Sequence, residues 1–499
     1  MNTTNSLFNL IKSLSGSEKR HFSIFASRHI IGKENSYLLL FKLLDKQKEY
    51  DEESILRSEK RIKKELIHNL KAYLQELILR SLEQFYSKGS VENEIYRLIH
   101  QVEILHQKGL HSMCKKKLLK AKILAYDYGK LKILPVLLQW QLQIIENGPD
   151  PDKIETEVAS VLDEQKKIQE KIRLINELET LRIRMDYWRL QHQEVRNKKE
   201  SDRIRKFILN YRHAKEKALP FYAAQSYLRA LGIYYMAVKQ FKSSQLFFKK
   251  NLALFDSNPK IRAEQPNLYM GCLNNLVIAY ISDGNFSAAE NTLALIKNLA
   301  VLIPQVSKSV KIQSRIFRSY YSPLLVIYLQ KGDFEKAANQ LSGILNGLNK
   351  YRPLLNEKFL TAFYYNISHV YFGNKDYKNS LKWITKIFNE SSQDFQIELH
   401  RSSRIALLMI LFEIGNDPLH SYFLKSTQNF IIKKGIYGRA EKLILGSFER
   451  IYKANSRKQL KLLFSELKKK LQELKKHPYE KDALTVFNLE SWIDSKIED

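Results

Sequence analysis

The sequence is poor in the residues that interrupt or staple a chain. Only 17 Gly and 11 Pro occur in 499 residues. Glycine weakens a helix interior and proline removes one of its backbone donors, so this scarcity leaves room for long helices joined by short turns. Strict alternation of apolar and polar residues, the mark of a half-buried strand, is hard to find. Two cysteines, Cys114 and Cys272, fall in different segments. They provide no disulfide framework and fit a reducing compartment. No apolar run approaches the roughly 18 residues of a membrane span, so no membrane insertion is expected. Residues 1–20 show no continuous apolar stretch ahead of a small-residue cleavage site, so no signal peptide is read. The cytoplasm is the expected compartment.

Catalytic patterns are missing as well. There is no Gly-x-Gly-x-x-Gly loop, no phosphate-binding P-loop, no nucleophile elbow and no HExxH pair. Carboxylates such as Glu155, Glu157, Asp163 and Glu164 are spread along the chain, with no pair set apart for acid–base work. His100, His106, His111 and Cys114 lie close in sequence, but the paired spacing of a zinc site is lacking, so they read as ordinary helix residues. The expectation is a non-enzymatic protein without cofactor or metal.

What the chain has in abundance is positive charge, +29 overall, and 44% hydrophobic residues, enough for a large core. The positive charge is densest over 203–250, where Glu216 is the single acid. A basic balance fits nucleic acid, an anionic membrane or acidic partners. It also fits a solvated helical surface, which is the simpler reading here.

The organising feature is a pattern that recurs four times within 221–390. Leu231-Gly232-Ile233-Tyr234-Tyr235 is followed by Lys239-Gln240-Phe241, Ser244 and Phe248. Leu276 and Tyr280 precede Gly284-Asn285-Phe286, Ala289 and Leu293. Leu324, Tyr328, Gly332-Asp333-Phe334, Ala337 and Leu341 make the third copy, and Ile367, Tyr371, Lys375-Asp376-Tyr377, Ser380 and Ile384 the fourth. Each copy reads as a helix, a reversal through a left-handed residue, a capping Asn or Asp, and a second helix that approaches the first at a small residue. Two copies have Lys at the turn where Gly is preferred. The key tyrosines are 45, 48 and 43 residues apart, so either the helices are long or extra turns separate the pairs. Pro304, Pro323 and Pro353 are expected at helix starts or junctions.

This pattern resembles the tetratricopeptide repeat, whose standard period is about 34 residues. The resemblance implies an all-α, right-handed superhelical solenoid of helix hairpins with helical caps at both ends. In peptide-binding members the ligand lies on the concave face made by the first helices. Carried over position by position, that lining would include Arg229, Asn274, Asn275, Gln330, Tyr365, Asn366 and His369. Asn side chains would meet an extended peptide backbone and Arg229 a carboxylate. The complete clamp pattern of Lys, Asn and Arg is missing. The expected function is an adaptor or scaffold for a protein or peptide. The alternatives are a nucleic-acid-associated protein using the basic surface, or a peptide-sensing regulator with an N-terminal effector domain.

The flanks divide the chain. Residues 1–90 read as a helical bundle or cap, with a capping box at Ser15 and Glu18 and a long helix over 58–86 striped by Leu66, Leu70, Leu74, Leu77, Ile78, Leu82 and Phe85. A helix-turn-helix there would use Arg57, Lys60, Arg61, Lys63 and Lys64 on phosphates, but interspersed glutamates favour a solvated face. Residues 91–220 read as degenerate repeats. They begin with an eroded copy around Lys108-Gly109, with Leu105, Cys114, Leu118 and Ala121. Separate helices are expected over 154–169 and 172–211, the latter interrupted near 197–200. Residues 221–432 are the clear repeats with a weaker continuation around Gly415-Asn416, and 433–499 are capping helices. Within the cap, 458–476 carries a short heptad-like stripe and 487–497 a helix anchored by Trp492.

Overall fold

In the computed structural model, residues 6–27, 36–59, 61–86, 89–146, 151–192, 198–211, 214, 218–392, 396–415, 417–435, 438–474, 476 and 486–498 are described. Among these residues every regular element is helical and no strand occurs. No helix among them is long and apolar enough to cross a membrane. The chain divides into two compact units, Met1–Arg173 and Leu174–Asp499.

The first unit begins with α1 (Ser6–Ser13), α2 (Gly16–Ser27), α3 (Ser36–Lys46), α4 (Glu52–Ser58) and α5 (Ile67–Tyr86). Phe22, Leu40, Phe41, Leu44, Leu74 and Ile78 form their shared core. The capping box forms: the Ser15 amide donates to the Glu18 carboxylate at 2.6 Å and the Glu18 amide to Ser15 Oγ at 3.3 Å. The helix expected over 58–86 is shorter, because α4 ends at Ser58 and the described residues of 59–66 belong to neither helix. Asp51 caps α4 by accepting from the Ser54 amide at 3.0 Å, and α5 starts only at Ile67, leaving Leu66 exposed. Next come α6 (Val91–Gln107) and α7 (His111–Asp127), turning at Gly109 with φ +68°, then α8 (Leu134–Glu146). Cys114, Leu118 and Ala121 are buried between α6 and its neighbours.

Then α9 runs unbroken over Pro151–His192. A break after residue 169 was the expectation, but no Gly or Pro lies between 152 and 192, so nothing stops the hydrogen-bond ladder. The two units divide within it.

The second unit continues with α10 (Lys198–Leu209) and then the four repeated copies. The first pair is α11 (Phe221–Ala237) with α12 (Phe241–Asp256). After the short α13 (Pro259–Glu264) comes α14 (Pro266–Ser282) with α15 (Phe286–Lys297). After α16 (Leu299–Leu302) comes α17 (Val310–Lys331), paired with α18 (Phe334–Ala338) and α19 (Leu341–Tyr351). The fourth pair is α20 (Glu357–Gly373) with α21 (Tyr377–Glu390). The long period has both of its causes: α17 has 22 residues, and short helices are inserted between pairs.

The four turns share one geometry. Lys239, Gly284, Gly332 and Lys375 are left-handed, with φ of 59°, 73°, 73° and 61°. In each, the amide of the next residue donates 2.9 Å to the carbonyl of the repeated tyrosine, Tyr235, Tyr280, Tyr328 or Tyr371. This is the six-residue closure of a helix C-terminus, and it explains why the tyrosine keeps its distance from the turn. Asn285 and Asp376 then cap the second helix, accepting from Ala288 and Asn379 amides at 3.2 and 3.1 Å. The small residues lie where helices approach. Ser244 Oγ donates to the Gly232 carbonyl at 2.8 Å, and a Cβ on Gly232 would lie 2.3 Å from the Phe248 ring. The aromatics after the turn, Phe241, Phe286, Phe334 and Tyr377, are half-buried.

Pro323, expected at a junction, lies inside α17. Proline there removes one bond of the ladder without ending the helix.

Beyond the repeats are α22 (Ile397–Ile414), α23 (Asp417–Lys433), α24 (Arg439–Tyr452), α25 (Arg457–Leu474) and α26 (Leu489–Glu498). Residues 405–411 of α22 are buried throughout. The stripe of α25 is spent inside the unit: Leu463, Phe464, Leu467 and Leu471 join the core with Phe448 and Trp492. Trp492 Nε1 donates to Glu413 at 2.5 Å. Within this unit α14, α17, α20, α22 and α24 also touch in series.

Candidate ligand-binding face

The first helices of the pairs bring together a set of cations. On α9, Arg182, Asp186 and Arg189 are spaced by four and three residues and share one side. Arg229 projects from α11 to Asp186 Oδ1 at 2.9 Å, while Arg182 takes Oδ2 at 3.1 Å and Arg189 stands 3.6 Å from Oδ1. One carboxylate thus serves three guanidiniums. The remaining contacts among the described residues are to neutral groups. Arg189 Nη1 donates to Asn275 Oδ1 at 3.2 Å, and Arg315 Nη1 to Asn267 Oδ1 at 3.1 Å. Arg318, one turn along α17, lies over the Phe359 ring at 3.8 Å. Lys358 follows at the start of α20.

Electrostatics link these groups into a chain of like charges. Burial pulls the Arg189 guanidinium below its usual range, and Arg229 adds to the effect while Asp186 opposes it. Burial and then Arg229 lower Arg315. Arg318 is brought down to about 10, by burial first and Arg315 second. Lys358 is lowered by burial and then by Arg189. All five cations remain half-buried, and the Arg189 side chain keeps 37% of its exposure. They therefore remain within reach of solvent. Arg229 Nε and Asn275 Nδ2 are buried and find no hydrogen-bond partner among the described residues. Asn274 is half-buried next to Asn275.

The other sequence-derived residues meet a different neighbour. Tyr365, Asn366 and His369 lie on α20, and residues 486–488 of the same unit pack against this helix. The Phe487 ring stacks on His369 at 4.5 Å and 12° and lies 5.0 Å from Tyr365 and 5.5 Å from Phe372. Asn488 Nδ2 donates to the Leu329 carbonyl at 2.8 Å. Both Phe487 and Asn488 are left-handed, φ 41° and 47°, so α26 starts after them rather than at Phe487 as its apolar pattern implied. Burial holds the His369 imidazole down at about 3 and raises the Tyr365 phenol. Asn366 is buried, and Gln330 is exposed.

The seven residues inferred from the repeat resemblance thus separate. Arg229 and Asn275 belong to the cation cluster, and Asn274 is half-buried beside Asn275. Tyr365 and His369 are covered by Phe487. Arg189, Arg315, Arg318 and Lys358 were not singled out from the sequence. The pair Arg315 and Arg318 is a readable signal, being one turn apart with no acid between 291 and 332. Arg189 had none, because it lies outside the repeats.

Elsewhere the cluster considered for metal is spread among contacts of its own. The Cys114 thiol donates to the Val102 carbonyl at 3.6 Å. His106 packs edge-on against His111 and Trp140 at 5.9 and 5.6 Å. Among the described residues no three His, Cys, Asp or Glu side chains converge. Of the helix-turn-helix candidates, Arg57 pairs with Glu53 and Arg61 with Glu59, both at 2.5 Å. Lys63 and Lys64 are exposed, and Lys60 lies outside the described residues.

No protein-family model matches the chain, and no curated protein matches it.

Proposed function

We propose that the helix pairs of 221–432 form a right-handed tetratricopeptide-like solenoid. On this reading the chain is a non-enzymatic cytoplasmic adaptor that binds a protein or peptide along the face made by the first helices. The observation that carries this is the seating of residues 486–488. The chain lays a short non-helical segment of its own against α17 and α20. It holds an aromatic side chain between Tyr365, His369 and Phe372, and a side-chain amide on a backbone carbonyl. Those are the two contacts a peptide ligand needs, an anchored ring for affinity and a main-chain bond for register. The shared turn closure at four tyrosines supports the repeat reading, because each pair buries its apolar stripe only by stacking on the next.

The test is affinity capture by the full chain from its source cells, with nuclease present, followed by identification of what stays bound at moderate salt. Asn274→Ala with Gln330→Ala changes the face at a half-buried and an exposed position. The expected result is a nuclease-resistant protein partner whose retention falls in that variant. Material that leaves with nuclease or with added salt would overturn the reading in favour of nucleic acid on the basic surface.

A further inference from the structure

We propose that Arg189, Arg229, Arg315, Arg318 and Lys358 form a binding site for a compact, multiply charged oxyanion, a phosphoryl group. This goes beyond the adaptor reading, since the site needs no peptide to be filled.

Four helices, α9, α11, α17 and α20, carry these cations: Arg189, Arg229 and Arg315 lie along α14 at Asn275, Gly271 and Asn267, and Arg318 lies over Phe359, the residue after Lys358. Asp186 is the only carboxylate that any of them contacts among the described residues, and Arg182 holds its second oxygen. In place of acids the cations meet two asparagine amides and a phenyl ring. Surface cations in water repel weakly, but the same charges drawn from solvent repel strongly. A chain of half-buried guanidiniums, each lowering the next, is therefore an arrangement that the folded state maintains against its own electrostatics. Packing of the apolar stripes elsewhere holds the helices, and the cluster stays positive and half-exposed. An anion entering it removes the repulsion, which is free energy available for binding.

The shape and number of donors select the anion. A carboxylate brings one charge and two oxygens in a plane, which one guanidinium fork already satisfies. A phosphoryl group brings nearly two charges and three oxygens directed apart, matched by forks arriving from different helices. A nucleic-acid duplex would need phosphate contacts strung along an extended surface, whereas Arg189, Arg229 and Arg315 meet a two-turn stretch of α14, at Asn275, Gly271 and Asn267. The phosphoryl group has two possible sources, a small soluble phosphate compound or a phosphorylated side chain.

The experiment uses the full chain at constant ionic strength. Inorganic pyrophosphate is titrated by calorimetry and by thermal unfolding, with potassium chloride as the ionic control. A phosphoserine peptide, and the same peptide with glutamate instead, form the second arm. The variant is Arg315→Gln with Arg318→Gln. The control is Lys469→Gln with Lys470→Gln, both exposed on α25. Pyrophosphate or the phosphopeptide is expected to bind and raise the unfolding midpoint beyond chloride. Affinity should fall about tenfold to a hundredfold in the arginine variant, the loss of one or two charge-assisted bonds, and hold in the lysine control. The ligand-free arginine variant should melt no lower than the parent, since it loses repulsion. Pyrophosphate binding assigns the free-phosphate source, and phosphopeptide binding without it assigns the side-chain source. The proposal is overturned by no effect beyond chloride, by equal loss in both variants, or by equal binding of the glutamate peptide. Phosphate binding without any captured protein would leave this site standing while the adaptor reading fell. A captured partner without phosphate binding would do the reverse.

Discussion

At the residue scale the turns are the most informative positions. Two of four carry lysine in a left-handed backbone that glycine adopts freely. A side chain there costs about 1–2 kcal/mol. The cost is tolerated because the turn is closed by the tyrosine carbonyl four residues back, a bond identical in all four copies. Replacing Lys375 by Gly removes that strain and adds freedom to the unfolded chain, so the two effects partly cancel. The expected net result is a gain of about 0.5–1 kcal/mol, read as a higher urea midpoint with unchanged slope. A lower midpoint for Lys375→Gly would mean that its side chain contributes more than the backbone strain costs. The turns were legible in the sequence because their residues are local: Gly or Lys, then Asn, Asp or Gln, then an aromatic. The positive φ follows from the chain reversal and needs no distant contact.

At the element scale, legibility fails where an element depends on something far away. The helical class followed from scarce Gly and Pro, and the paired helices from the spacing of Leu, Tyr and small residues. The sequence divides α9 into separate helices over 154–169 and 172–211, whereas an unbroken ladder needs only the absence of breakers. Pro323 was placed at a junction for the opposite reason, since neighbours hold α17 helical through a residue that ends isolated helices. The candidate site divided along the same line. Arg229, Asn274 and Asn275 came from repeat positions, while Arg189 reaches them from a helix outside the pattern, 86 positions from Asn275.

Phe487 is the clearest case. It reads as the first apolar residue of the last helix, but it is a buried wedge on α20. Phe487→Ala empties that position, and a buried Phe→Ala change costs about 3–5 kcal/mol. Hydrogen exchange should show protection lost in the middle of α20 and in α26, with α11 and α12 unchanged. Equal loss throughout the unit would show that the segment is integral to one cooperative core and not a separable contact.

At the scale of the whole molecule, the net charge of +29 sets the background and buried histidines set the acid response. His369 faces Phe334 and Phe487, and His420 faces Phe448 and Tyr452. Burial brings each imidazole down to about 3. Above about pH 6.5, the ordinary imidazole value, both are neutral whether the chain is folded or not, and they give no pH dependence. Between 6.5 and 3 the unfolded chain takes up protons that the folded chain refuses, so stability falls as pH falls. From pH 6.5 to 5 the loss is at most about 2 kcal/mol for each histidine.

The carboxylates held low by partners, among them Glu52, Asp283 and Glu390, act in the same direction, but only near and below their ordinary values. The window from 6.5 to 5 therefore belongs mainly to histidine. His400 is also lowered, by burial and then Arg404, and adds to the same slope. Urea unfolding at pH 7.5 and pH 5 should show a lower midpoint at pH 5, and His369→Gln with His420→Gln should flatten the difference while lowering the midpoint at both. A difference undiminished in the double variant would place the acid response in other groups and return the two rings to packing alone.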